Sequence, residues 1–579
     1  MPRASAEELF ASVGPDGGNV LLPGIFSGVE PLVVAERLAS HQAVFAWDAS
    51  PELVKLALTL HEFSPPLRAG RIVLLCGGEL EETLEGFFAQ NPGYEFPTRL
   101  LTMPQCSIAQ IGEWQRRLVA CATRVSVKQM ELAAEVRERL RDAFATDARG
   151  RAWPGDRSPR IVVMGSDNSA NTAAHAPRIQ SALQSLGWPH KVSMVDAPNK
   201  CHLVARLGDV EAASPDLALW VDGVPGAIRA MLPDALPVAA WFFPGTDVPR
   251  SGTIACGPFD VFVATTAKQQ ADLALLGVPL DRITRRPPAF DATLFHRPPV
   301  RQSPQPDPSP TVGAASWGQA RAGAPPIGVI VAADLPDDSP EAANVNLPSH
   351  LALWKAMREA VAAAADDGTE AAPERCFDAA ERSSGTSLRD AAIRKVFLRF
   401  LGERIAPAVV ARETVSTLKR TGCRVGVYGS HWNLDDVECD LLSRELPQDA
   451  QRAELFRTVE WVVLPMASPT ALELALEALA CGAKVALRAG RVPISEEHPA
   501  LAAVAPAIHV YGRLAELRRL VLGNRGGGAR DGGAGRTTEV IHGALVSEHS
   551  VTARIRSIVA EITCGRGAGV TESAACGRF

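Results

Sequence analysis

The stretch TALELALEALACGAKVAL, residues 470–487, decides how this chain is read. Leu472, Leu476 and Leu479 recur at helical spacing, with Ala475 and Ala480 beside them, which predicts a helix with one apolar face. Gly482 can take the left-handed conformation that closes a helix. Residues 485–487 then resume as a short apolar strand. Just upstream, WVVL at 461–464 predicts the preceding strand, so the order is strand, helix, strand, the repeat of a parallel sheet. One acid, Glu477, lies in the last turns of that helix.

The same alternation extends outward. CRVGVY at 423–428 reads as a strand closed by Gly429, and IGVIVAADLP from 327 as the first strand of the unit. Residues 350–420 between them read as mostly helical, with a polar break at 380–387. A glycine-rich loop, NRGGGARDGGAGRTT at 523–537, precedes a last helix near 549–562. Upstream, RIVVM at 160–164, the segment 190–195, PDLALWV at 215–221, LPVAAWFF at 236–243 and DVFVA at 260–264 form a second succession of strands, with a helix over about 176–186. A third set opens the chain: strands at 19–22, 43–47 and 71–76, with helices at 30–38 and 51–60. Residues 107–147 are almost free of Gly and Pro and predict one or two connecting helices.

The expected organisation is therefore α/β throughout. An N-terminal Rossmann-like module spans 1–105, a helical connector 106–155, and a Rossmann-like domain 156–297. A Pro-rich linker (298–325), a second Rossmann-like domain with a closing helix (326–563) and a tail (564–579) follow. Such a length is too great for one core. The net charge of −6 lacks the basic footprint of a nucleic-acid binder. No apolar run reaches the roughly 20 residues needed to cross a bilayer. No secretory signal opens the sequence, so the expected compartment is the cytoplasm. The eleven cysteines show no Cys-x-x-Cys pair, and His-Glu-x-x-His is absent; buried reduced thiols are expected, and no metal site.

From Arg160 onward the chain resembles the CgeB-like, spore-maturation-type group of GT-B glycosyltransferases. The segments that carry the resemblance are PDLALWVDG (215–223), LPVAAWF (236–242), FDVFVATTAKQQADLALLGV (259–278) and RRPPAFDATLFHRP (285–298). AELFRTVEWVVLPMASPTALELALEALACGAKVAL (453–487) and EVIHGALVSEHSVTARIRSIVAEI (539–562) complete them. The resemblance implies a GT-B-like pair of Rossmann-like domains and a transferase. It would move a sugar from a UDP- or GDP-sugar to a protein, glycan or cell-surface acceptor, with no obligatory cofactor, nucleic-acid partner or transmembrane segment. It also implies that Glu477, in the turn Glu477-Ala478-Leu479-Ala480-Cys481-Gly482, holds the donor ribose.

Ligands of α/β sheets lie at the carboxyl ends of the strands, and glycine turns and helix starts present free amides to phosphates. That places Gly429, Ser430, Ser468 and Thr470 on the donor side, and Gly165, Ser166 and Asp222 on the acceptor side. Asp247 and His431 are the candidates for proton transfer. Two features depart from the family. The residue eight positions before Glu477 is Pro469, where many retaining relatives carry a second glutamate. Acids in VAADLPDDSP (331–340) also stand where a basic residue is usual. Phosphate neutralisation would fall to Arg457, Arg488 or loop amides.

Each residue has a plainer reading. Glu477 reads equally as a solvated helix acid, Asp247 as a turn aspartate, His431 as a turn cap, and His549 and Arg554 as packing groups on the terminal helix. LLPGIFSGVEP with Asp48 resembles the opening of a nucleotide or S-adenosylmethionine fold. VFAWDASPELVKLALTLHEF is similar to the front of bacterial glycosyltransferases that modify surface or flagellar proteins. A non-catalytic nucleotide-sugar-binding scaffold and a methyltransferase acting through 1–105 are the competing readings.

Overall fold

The computed structural model describes residues 3–14, 17–104, 106–148, 158–165, 170–249, 252–296, 328–367, 373–432, 439–443, 445–466, 468–489, 494, 498, 501–502, 504–523 and 534–567. They build three parallel sheets flanked by helices, the α/β class expected from the alternation of motifs. The first sheet holds β1 (Val20–Pro23), β2 (Val44–Asp48), β3 (Ile72–Cys76) and β4 (Arg99–Leu100) in the order β3-β2-β1-β4. The second holds β5 (Ile161–Gly165), β6 (His190–Ser193), β7 (Leu217–Val221), β8 (Val238–Trp241), β9 (Val261–Ala264) and β10 (Ile283–Arg285), ordered β10-β9-β8-β7-β5-β6. The third holds β11 (Val329–Ala332), β12 (Val425–Tyr428), β13 (Leu441–Ser443), β14 (Trp461–Leu464), β15 (Lys484–Arg488) and β16 (Ile508–Tyr511), ordered β13-β12-β11-β14-β15-β16.

The chain forms two compact units. One comprises Met1–Ala264, Gln269–Thr284 and Ile558–Phe579; the other comprises Thr265–Lys268 and Arg285–Ser557. In the first unit a single helix, Ile108–Ala148, occupies the whole connector. Leu118, Cys121 and Val125 pack into the core of the first sheet beside Leu21 and Phe45. Ala133, Val136, Leu140 and Phe144 pack into the core of the second, beside Val162, Met164 and Trp220. Gln129 donates to the carbonyls of Pro92 and Tyr94 between these two stretches.

Within the second unit the residues just before the linker are bound to the third sheet's helices. Phe290 donates its amide to His549 O at 3.2 Å and accepts from Val551 N at 2.9 Å. Arg554 reaches Pro287 O at 3.0 Å, and Phe290 and Phe295 are fully buried. Residues 285–296, expected to close the 156–297 domain, thus pack with the following one because two aromatic anchors find their core there. The 298–325 linker lies outside the described residues, as does most of the tail.

The deciding stretch folds as its pattern requires. Ser468 caps the Pro469–Cys481 helix by accepting from Ala471 N, Pro469 occupies the first turn, and Gly482 ends the helix at φ 92°. Strands β4, β10, β13 and β16 were not expected from the sequence, each being two to four residues long with a polar residue in it. The helix expected from 176 begins at Ala170 and carries Pro177 inside it.

Candidate functional site

In the third sheet the chain winds from β11 through β12 to β13, then returns to the other side of β11 with β14, β15 and β16. The strand order reverses between β11 and β14, and the carboxyl edge at such a reversal is where α/β sheets hold ligands. Four segments meet this edge: 333–338 after β11, 429–432 after β12, 465–466 and Ser468 after β14, and Arg488–Ala489 at the end of β15.

The turn after β12 is fixed by a close backbone approach. Gly429 has φ 131°, and a Cβ there would lie 2.0 Å from Ala333 O, so only glycine fits. Asp334 then accepts from Ser430 N at 2.8 Å and from its hydroxyl at 3.1 Å, Ser430 O accepts from Leu335 N at 3.2 Å, and Trp432 Nε1 donates to Ala333 O at 2.7 Å. These bonds hold His431 exposed in a left-handed conformation, φ 58°, which is uncommon for a side-chain-bearing residue and marks a constrained turn. On the β14 side, Pro469 has no N–H and Ser468 takes that of Ala471, so the exposed Thr470 supplies the amide and hydroxyl of the first turn.

The acids of the 331–340 segment divide. Asp338 is buried in a two-pronged pair with Arg412, both contacts at 2.7 Å. Asp334 and Asp337 are exposed. Hydrogen bonds from Ser339 hold the Asp337 carboxyl below its ordinary range, with a smaller contribution from the His431 charge. The cation on the opposite flank is Arg488, half-buried at the end of β15 and in register with Tyr511. Burial pushes the Tyr511 phenol up to about 12, and the Arg488 charge opposes that shift. The edge is therefore acidic at β11 and basic at β15.

Two expected donor-side residues stand elsewhere. Glu477 is 0% exposed, so it is not a solvated helix acid. Its carboxylate accepts from Arg452 Nε at 2.8 Å and Nη2 at 3.0 Å. Arg452, itself buried, also holds Pro447 O at 3.0 Å and Asp449 at 2.7 Å, and its guanidinium lies 5.3 Å from the Phe295 ring. Glu477 sits about 12 Å along the helix axis from Pro469, at 1.5 Å per residue. Arg457 closes the Asp449–Thr458 helix just ahead of β14, at the amino edge of the sheet. It is occupied there by His296 O at 3.1 Å, by Leu294 O and by Glu454. The edge that collects Gly429, Ser430, His431, Ser468 and Thr470 thus excludes Arg457, and Arg488 takes the basic position. Arg452 escaped the sequence reading because its partner lies 25 residues away and the pairing is tertiary.

In the second sheet the order reverses between β5 and β7; Gly165 ends β5 and Asp222 follows β7. Asp222 is buried at φ 58° and accepts from Phe243 N at 3.4 Å and from the Thr246 hydroxyl, so it ties β7 to the loop after β8. Gln269 donates to Phe243 O and Thr246 O of the same loop. Asp247 follows on that loop and is exposed. Arg206 donates to Gly165 O at 2.7 Å while stacked on Trp220. Ser166 lies outside the described residues. His549 and Arg554 are both buried.

Among the described residues no group of three or more His, Cys, Asp or Glu is arranged to hold a metal ion. Among the described residues no helix is long and apolar enough to cross a membrane. No family model matches the chain, and no curated protein matches it. Among solved structures, HepE of Anabaena in complex with UDP and glucose is similar over 71% of this chain and 100% of its own, with 11% identity and a TM-score of 0.28. A likeness at that score carries no weight for function.

Proposed function

We propose that the chain is a glycosyltransferase whose nucleotide-diphosphate-sugar donor lies along the carboxyl edge of the third sheet. The observation that supports this best is the Gly429-Ser430-His431 turn, locked beside the strand-order reversal with His431 exposed and with Thr470 and Arg488 on the other flank. In this reading the diphosphate faces Thr470 and Arg488, away from Asp334 and Asp337, because like charges repel and the basic flank attracts. Ser430 and Ser468 border it. His431 is the group placed to accept or deliver a proton, and Asp247, on the second sheet's edge, is the candidate on the acceptor side. The segment resemblance to the CgeB-like group favours a protein, glycan or cell-surface acceptor. Glu477 enters only if its pair with Arg452 opens, so the donor ribose is held by other groups while that pair persists.

The engaged state of Glu477 and the acids beside β11 favour a second reading, a nucleotide-sugar-binding protein without turnover. Calorimetry of the full chain with UDP and GDP, then donor hydrolysis and transfer with and without His431→Ala, separates the two. Binding plus turnover that falls at least tenfold in the variant supports the transferase. Binding with no turnover on any acceptor supports the scaffold. Absence of binding, or binding unchanged by Arg488→Ala, removes the donor site proposed here.

A further inference from the structure

The first sheet also reverses its strand order, between β1 and β4, so its carboxyl edge is where a nucleotide or S-adenosylmethionine would be expected. The turn 24–28 leads from β1 into the helix Val29–Arg37, the place where phosphates meet helix amides in such folds. We propose that this seat is closed by the chain itself, with the Phe26 ring and the Glu30 carboxylate standing where a ligand's anion would lie. The module is then a ligand-independent α/β fold, and nucleotide chemistry is left to the later sheets.

Four observations converge. Phe26 adopts φ 48°, a strained conformation for an aromatic residue, and lays its ring against Gly24; a Cβ built on Gly24 would lie 2.5 Å from that ring. Glu30 is 1% exposed and folds back over the turn, accepting from Ser27 N at 3.1 Å and from the Ser27 hydroxyl at 2.8 Å. A carboxylate fixed at a helix start supplies the negative charge that the helix dipole favours there, and Pro31 removes one further amide donor. Asp48, the acid that ends the second strand, accepts from Ile25 N at 3.1 Å and from Ser50 N at 2.9 Å, so both its oxygens face protein amides rather than a ribose. His61 closes the far side of the turn on Ser27 O at 2.9 Å. An incoming phosphate would have to displace a buried carboxylate and an aromatic ring together.

The test uses the full chain and does not depend on the donor reading, since UDP is titrated in parallel as the probe of the third sheet. S-adenosylmethionine and inorganic phosphate are titrated by calorimetry into the wild type and into Phe26→Ala/Glu30→Gln, with hydrogen exchange of residues 24–30 followed by mass spectrometry. The wild type is expected to bind neither, and the double variant to bind phosphate at least tenfold more tightly than the wild type, with new protection of 24–30 and unchanged UDP binding. Saturable binding of S-adenosylmethionine by the wild type with protection of 24–30 overturns the proposal. A folded double variant with no gain in phosphate affinity also overturns it. The wild-type titration decides the matter if that variant does not fold.

Discussion

The turn after β1 and the turn after β12 are each a glycine turn at the carboxyl edge of a parallel sheet, the first directly at the strand-order reversal and the second one strand away, yet they end in opposite states. In the first, Glu30 and Asp48 accept from the local amides and the Phe26 ring lies against Gly24. In the second, Asp334 fastens the turn from one side, while His431 stays exposed and Thr470 and Arg488 flank the edge. The difference teaches that a parallel sheet with a reversal makes a seat available, and that a few side chains after the strands decide whether it is kept. A glycine pattern read alone does not separate the two.

The largest expected effect breaks or sharpens the view that Glu477 serves structure while the third edge serves ligand. Arg452→Met removes the two-pronged partner of a fully buried carboxylate and should lower stability by about 3–5 kcal/mol in urea denaturation. If Glu477 is structural, Glu477→Leu with Arg452→Met should recover most of that loss and keep UDP affinity. Loss of UDP binding from Glu477→Gln alone would return the residue to the ribose.

Next comes pH, which should act on the second unit. Burial, then the charges of Arg285 and Arg554, lower the His498 imidazole to about 4. A His whose folded value lies below its unfolded value of about 6.5 binds fewer protons when folded, so its contribution is complete above that pH and is lost as pH falls toward 4. The loss amounts to about 3 kcal/mol over that window. His498→Gln should flatten the stability profile between pH 6.5 and 4, measured by denaturant midpoints.

Gly429→Ala places a methyl against Ala333 O and should destabilise by about 2–3 kcal/mol and weaken UDP binding. Asp48→Ala, in the first turn, leaves two amides without their carboxylate and should cost about 1–3 kcal/mol with UDP binding intact. That pair is the direct test of the contrast, because equal effects on UDP would make the two edges alike. The smallest change is Ser468→Ala, which removes a helix cap and should lower stability by about 1 kcal/mol.

Much of the architecture was legible because buried strands and helix stops carry local signals: WVVL, the leucine spacing of 472–479 and Gly482 all mark elements that form where expected. The short edge strands β4 and β13 were not, since two or three residues give no period to read. The site was partly legible. Strand ends located Gly429, Ser430 and Ser468, whereas the roles of Arg452 and Asp334 depend on partners 25 and 96 residues away, which no local pattern encodes. Arg457 lies at the amino edge, a placement its helix pattern could not show because a helix alone does not say which edge of the sheet its last turn reaches.

The helix Ile108–Ala148 has a consequence for how this chain tolerates change in length. Its 41 residues span about 60 Å. Its two apolar faces must stay in phase, one set by Leu118, Cys121 and Val125, the other by Ala133, Val136 and Leu140. One residue inserted between them rotates the downstream half by about 100°, whereas seven restore the angle to within about 20°. Length variation here should therefore be permitted in heptad steps and refused in single ones, as in a keyed shaft.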